Sequence, residues 1–207
     1  MEFGELNDLG LFYHFTEAEE MESGFLTEKE LELISNRHRN KQLDFIRGRT
    51  CAKMALKKMG FPIANVELLS EPDGQVSWPE GVVGSISHSK GLAGAIVGWK
   101  KDFQSLGLDI ELRNRVQPEI WDRLFTEFEQ EVLLQFPIDL QSEKATEIFS
   151  LKEAFYKFQW PLTKTFLGMR DVEWRGHQFD AGISSKLPTY RCFASLYNQH
   201  LISVIVG

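Results

Sequence analysis

Seven residues constrain this chain more than any others. Across Leu106-Gly107-Leu108-Asp109-Ile110-Glu111-Leu112, the apolar Leu108, Ile110 and Leu112 alternate with Asp109, Glu111 and the following Arg113. A period of two fits a β-strand and no helix, so one face is apolar and the other carries both carboxylates, their Cα atoms about 7 Å apart. Two carboxylates this close repel each other, and a hard divalent cation that keeps some waters, magnesium above all, relieves the repulsion. Taken alone, an Asp-x-Glu pair reads better as an exposed strand face with incidental acids.

The rest of the chain supplies helices and further strands. Thr27-Glu28-Lys29-Glu30 and Thr126-Glu127-Phe128-Glu129 have the capping-box form, and each starts a helix. From residue 41 to about 59, Ala52, Ala55, Leu56 and Met59 recur at helical spacing, with Gly60 and Pro62 as the stop and Arg49, Lys53 and Lys57 on another face. Residues 118–124 read as a short helix. Ser142 opens the longest helix of the second half, with Ile148, Leu151, Phe155 and Phe158 toward the core and Trp160-Pro161 closing it. The turn Glu71-Pro72-Asp73-Gly74 separates two strands within 66–77. Residues 82–87 and 92–99 form a hairpin over His88-Ser89-Lys90-Gly91, and 171–207 read as strands between turns. The last of these, 201–207, repeats 92–98 at an offset of 109, matching at the leucine and at Ile-Val-Gly, as two similar α/β halves would.

With 207 residues, 43% of them apolar, the chain can bury a core as one domain or two small ones. No apolar run reaches the roughly 18 residues of a membrane span, and Met1-Glu2-Phe3-Gly4-Glu5 lacks a leader's basic-then-apolar pattern, so a cytoplasmic protein without membrane contact is expected. Cys51 and Cys192, far apart and without metal-type spacing, are expected as reduced core thiols. A net charge of −7 argues against nucleic-acid affinity. Yet residues 37–58 carry Arg37, Arg39, Lys41, Arg47, Arg49, Lys53, Lys57 and Lys58 against Asp44 alone. That segment suits a compact polyanion; its plainer reading is a solvated helix face.

Phe149-Ser150-Leu151-Lys152-Glu153-Ala154-Phe155-Tyr156-Lys157 brings acid and cation together a second time. Glu153 and Lys157, one helical turn apart, project from one face. A metal on Asp109, Glu111 and Glu153 could take a diphosphate as its remaining ligand, with Lys157 on a non-bridging oxygen. The alternative is an i,i+4 salt bridge of roughly 0.2–0.5 kcal/mol.

Gly107-Leu108-Asp109-Ile110-Glu111, followed by Leu151-Lys152-Glu153-Ala154-Phe155-Tyr156-Lys157, resembles the paired signature of the phosphopantetheinyl transferases. Ser85-Ile86-Ser87-His88-Ser89 is similar to the upstream coenzyme A motif of their surfactin-type and enterobactin-type branch, and Arg47-Gly48-Arg49-Thr50-Cys51-Ala52-Lys53 to its basic helix. The resemblance implies an α+β fold of two pseudo-symmetric halves, each a small antiparallel sheet packed with a long helix. Residues 1–103 would form the half that binds the coenzyme A 3′-phosphate, and 104–207 the half with metal and catalytic residues. It implies an enzyme that moves 4′-phosphopantetheine from coenzyme A to a serine of an apo acyl or peptidyl carrier protein, releasing adenosine 3′,5′-bisphosphate. Asp109, Glu111 and Glu153 would bind magnesium, or manganese in its place. Asp109, Glu153 and Lys157 would serve catalysis, and Arg49, Lys53, Ser87, His88, Lys152 and Lys157 would contact the coenzyme. Whether Glu153 or a water on the metal removes the serine proton stays open.

Three departures stand out. Phe149 replaces a common Trp, Gly74-Gln75-Val76 lacks the lysine of a Gly-Lys-Pro turn, and Asp44 falls near a lost arginine. Carrier proteins are acidic, so Arg113, Arg115, Arg123, Phe125 and Phe128 are candidates for a docking surface, and a monomer is implied. A metal-dependent nuclease fits less well, because Glu153 and Lys157 lie four apart on a helix. A non-catalytic coenzyme A binder would be told apart by absence of turnover.

Overall fold

The computed structural model describes residue 6 and residues 8–17 and 26–207. The first five residues, read above for a leader pattern, lie outside the described residues. The chain divides into two compact units, Met1–Leu106 and Gly107–Gly207.

The first unit contains β1 (Phe12–Glu17), α1 (Glu28–Glu32), α2 (Arg39–Lys58), β2 (Val82–Ser89) and β3 (Leu92–Trp99). Its antiparallel sheet has the order β1-β3-β2, and α2 packs on it. Cys51, Ala52, Ala55 and Leu56 of α2 meet Val82, Ala93, Ala95 and Val97 in one core cluster, so the helical spacing of these apolar residues does mark the buried stripe.

The second unit takes β4 (Leu106–Leu112), whose first residue closes unit one, α3 (Trp121–Leu124), α4 (Glu127–Leu134), α5 (Ile138–Thr163), the β5 (Val172–Trp174) and β6 (Phe179–Ala181) hairpin, β7 (Arg191–Tyr197) and β8 (His200–Val206). Its main sheet has the order β4-β8-β7. In both units the last strand is central and a long helix covers the sheet, an α+β architecture of two like halves. Phe155 and Phe158 of α5 are fully buried, each contributing about 2–3 kcal/mol of apolar burial.

Several elements differ from the sequence reading. β1 carried no turn or capping signal and was not expected; its register against β3 supplies what its own residues do not. Residues 66–77 form no pair of strands, only the isolated bridge Ser70↔Val76. The β2–β3 hairpin turns over Lys90 and Gly91 alone, both at positive φ as a tight hairpin requires, so His88 and Ser89 belong to the strand. Helix α5 starts four residues before Ser142, behind Pro137, and runs through Pro161 to Thr163. A proline in the last turn removes only one helical bond, and the chain leaves the helix at Lys164 (φ 51), whose N–H bonds to Trp160 O at 3.0 Å. Both cysteines are free thiols, each pushed up to about 12 by burial.

Candidate active site

The carboxylate strand and the acidic helix meet because of one glycine. A Cβ on Gly107 would stand 1.9 Å from Ala154 O, so only glycine lets β4 lie against the backbone of α5 here. The close approach brings the face of α5 bearing Glu153 and Lys157 to the acidic face of β4. Lys157 Nζ donates to Asp109 Oδ1 and to Leu108 O, both at 2.9 Å. Asp109 and Glu111 are buried, at 4% and 5% exposure, not on a solvated face. Glu111 pairs with Arg115 four residues on.

The three acids feel one another. Burial pushes the Glu153 carboxyl above its ordinary range and the charge of Asp109 pushes the same way, against Lys157. Glu111 is likewise raised, first by burial and then by Asp109, against the bond from Arg115. As placed, they are not a finished ligand set: among the described residues no group of three His, Cys, Asp or Glu side chains is arranged to hold a metal ion. Lys157 and Arg115 occupy two of the three carboxylates. The donor chemistry itself, hard carboxylate oxygens in which the charge of Asp109 works against ionisation of Glu111 and Glu153, fits a hard divalent cation.

A second feature lies wholly within the first unit. A cleft of about 300 Å³ is lined by Arg37, Lys41, Arg49 and His88, with Asp44, Phe45 and Ile86 among the other walls. Arg49 is 6% exposed; its Nε donates to Leu68 O at 2.6 Å, its Nη2 to Ser70 Oγ at 3.1 Å, and it stacks over the Phe45 ring. Burial brings its pKa down to about 10, with Glu30 opposing and the charge of Arg37 adding to the shift. An anion in the cleft would relieve that repulsion. His88 stands with Nδ1 3.8 Å from Asp44 Oδ2. Ser87, expected beside it, does not line the cleft: strand alternation sends it to the opposite face of β2 from Ile86 and His88.

Arg37 and Lys41 were not singled out by the motifs, although the signal existed. Lys41, Phe45 and Gly48 follow at i, i+4 and i+7 on α2 and line one cleft, whose far wall holds Gly74 and Val76. The cation absent from the Gly74-Gln75-Val76 turn thus has counterparts across the cleft.

Two expected coenzyme contacts stand elsewhere. Lys53 is 2% exposed and bonds to Glu30 Oε2 at 2.6 Å. Lys152 is 3% exposed and donates to Glu129 Oε2, Leu124 O and Met169 O at 2.5, 3.0 and 2.7 Å. Of the docking candidates, Phe125 is fully buried, and Arg113 and Arg115 are tied to Glu143 and Glu111. Arg123 is exposed. Phe128 is 37% exposed, with the Arg175 guanidinium over its ring at 4.2 Å. Among the described residues no helix is long and apolar enough to cross a membrane.

Two halves of one α+β pattern, joined to an Asp-x-Glu strand and a Lys-Glu helix, define the class. Residues 29–98 match the family model for the 4′-phosphopantetheinyl transferase N-terminal domain, and residues 105–205 the 4′-phosphopantetheinyl transferase superfamily. The chain belongs to the phosphopantetheinyl transferase superfamily. It is 33% identical over 145 residues to the 4′-phosphopantetheinyl transferase PptT of Mycobacterium tuberculosis, a match covering 70% of this chain and 62% of that protein. It is 34% identical over 140 residues to the 4′-phosphopantetheinyl transferase Npt of Nocardia iowensis, covering 68% and 61%. Enterobactin synthase component D of Salmonella typhimurium is 32% identical over 125 residues, covering 58% and 48%. The matches therefore span about half to three fifths of these relatives' length.

Proposed function

We propose that this chain transfers the 4′-phosphopantetheine arm of coenzyme A to a serine of an apo acyl or peptidyl carrier protein, with magnesium, and releases adenosine 3′,5′-bisphosphate. One observation carries the reading: Lys157 spans from α5 to Asp109 and Leu108 O on the strand, on the helix face that also bears Glu153. Three acids around one ammonium suit a diphosphate that arrives with its own cation.

Asp109, Glu111 and Glu153 would hold magnesium, or manganese in its place, and the bound ion would neutralise charge on the diphosphate. Lys157, leaving Asp109, donates to a non-bridging oxygen of the transferred phosphate. The carrier serine oxygen forms a bond to that phosphorus, the bond from phosphorus to the adenosine bisphosphate oxygen breaks, and the serine proton passes to Glu153. Arg37, Lys41, Arg49 and His88 hold the 3′-phosphate in their cleft, where charge-assisted bonds reward an anion.

The test is the intact mass of an apo acyl carrier protein after incubation with this chain, coenzyme A and magnesium, beside Asp109→Ala and chelator controls. A gain of one phosphopantetheine group that both controls abolish supports the proposal. No gain with several carriers, despite coenzyme A binding, leaves a binder without turnover. For the carrier surface, the exposed Arg123 is the cleaner probe, because reversing Arg113 or Arg115 also strips Glu143 or Glu111 of its partner. Arg123→Glu is expected to raise the carrier KM about tenfold and leave the coenzyme A KM unchanged; an unaltered carrier KM removes Arg123 from that surface.

A further inference from the structure

The two buried lysines share one construction. In the first unit, Glu30 closes the capping box that starts α1, as the third residue of that helix, and is fully buried. Its Oε2 accepts from Lys53 Nζ at 2.6 Å and Thr27 N at 2.7 Å, and its Oε1 accepts from Leu68 N at 2.9 Å. In the second unit, Glu129 closes the box that starts α4, as the third residue of that helix, and is 1% exposed. Its Oε2 accepts from Lys152 Nζ at 2.5 Å and Thr126 N at 2.9 Å, and its Oε1 from Trp174 N at 2.7 Å. Glutamate and lysine lie 23 residues apart in both. Each member stands 99 positions after its counterpart: Thr27 and Thr126, Glu30 and Glu129, Lys53 and Lys152.

The match extends to what each lysine anchors. Lys53 rises from α2, the helix of Lys41 and Arg49, and Lys152 from α5, the helix of Glu153 and Lys157. A buried ammonium bonded to a fixed glutamate sets both the height and the rotation of its helix. Lys152 leads Glu153 by one residue, so the rotation it sets decides where Glu153 and Lys157 point. An ammonium has three donors, and the three acceptors around Lys152 are all internal.

We infer that Lys53 and Lys152 are one positioning lysine, present once in each unit, and that neither is a coenzyme ligand. Each holds the functional helix of its unit in register through a buried glutamate. The inference rests on the proposed function for what the helices position, while the pairing rests on geometry alone.

A buried pair answers differently from a ligand when its partner is neutralised. Removing one ion leaves the other buried and uncompensated, and removing both charges relieves that cost. Lys152→Met alone is expected to lower the Tm and to cut kcat about tenfold or more. Lys152→Met with Glu129→Gln should recover most of the Tm and bring kcat within about threefold of the parent, with coenzyme A affinity by calorimetry within about twofold. Lys53→Met with and without Glu30→Gln should repeat the pattern in Tm and affinity. A coenzyme A affinity that falls tenfold or more and is not restored in the double variants overturns the inference and makes the lysines phosphate ligands. If a single variant does not fold, a folded double with parental affinity supports the inference. If the parent chain transfers nothing, the proposed function fails, and the Tm of singles against doubles still decides whether each lysine acts through its glutamate.

Discussion

At Gly107 a missing methyl group decides whether the acidic strand can reach the acidic helix. With Ala154 O 1.9 Å from the position of a Cβ, Gly107→Ala must push α5 away from β4. The expected cost is about 3 kcal/mol or more, read as a lowered urea midpoint, and under the proposed function transfer is lost because Glu153 and Lys157 move away from Asp109 and Glu111. Glu30 makes a second prediction at this scale. Burial raises its pKa, but the bond from Lys53 and the N–H groups of Thr27 and Leu68 more than offset this, so the carboxyl titrates below its ordinary 4.5. A lowered folded-state pKa contributes stability above pH 4.5 that is lost as pH falls through the folded value. A plot of Tm against pH should fall on the acid side of 4.5 for the parent, and Glu30→Gln with Lys53→Met should lack that part of the fall.

Among the elements, α1 and α4 begin with the same cap but are not held alike. In both, threonine accepts from the third residue's N–H at 3.3 Å and the glutamate returns a bond to the cap N–H. Thr126 Oγ1 also donates to Glu173 Oε2, which ties the start of α4 to β5. Thr27→Ala should therefore cost about 1 kcal/mol and Thr126→Ala about 2 kcal/mol by urea denaturation. Equal losses would mean that the Glu173 bond adds nothing. The helices were legible from the sequence because capping boxes and apolar periodicity are local signals. The start of α5 was not, since Ser142 offers a good cap four residues inside it, whereas the helix begins directly after Pro137.

Over the whole molecule, the charge is segregated against its own net sign. A chain of net charge −7 places Arg37, Lys41, Arg49 and His88 around one cleft. If that cleft takes the coenzyme phosphate, Arg37→Glu with Lys41→Glu should raise the coenzyme A KM about tenfold and lower kcat much less, with a weaker salt dependence than the parent. An unchanged KM would place the phosphate elsewhere.

Residue order by itself determined the elements that rest on short-range chemistry: the alternating β4, the two capping boxes, the apolar stripes of α2 and α5, and the repeat at an offset of 109 between the central strands. It also marked Asp109, Glu111, Glu153 and Lys157 as chemically related, because their spacing on strand and helix puts them on single faces. Direction and burial were decided only in the tertiary structure. Lys53 and Lys152 stand beside the coenzyme motifs in the sequence, yet fold inward onto glutamates 23 residues before them. Arg37 and Lys41 look like solvated helix charge and line a cleft, and Phe125 sits in the core. A local pattern specifies which face of an element a side chain occupies, but what that face meets is set by distant segments, and a buried ammonium follows its counter-ion.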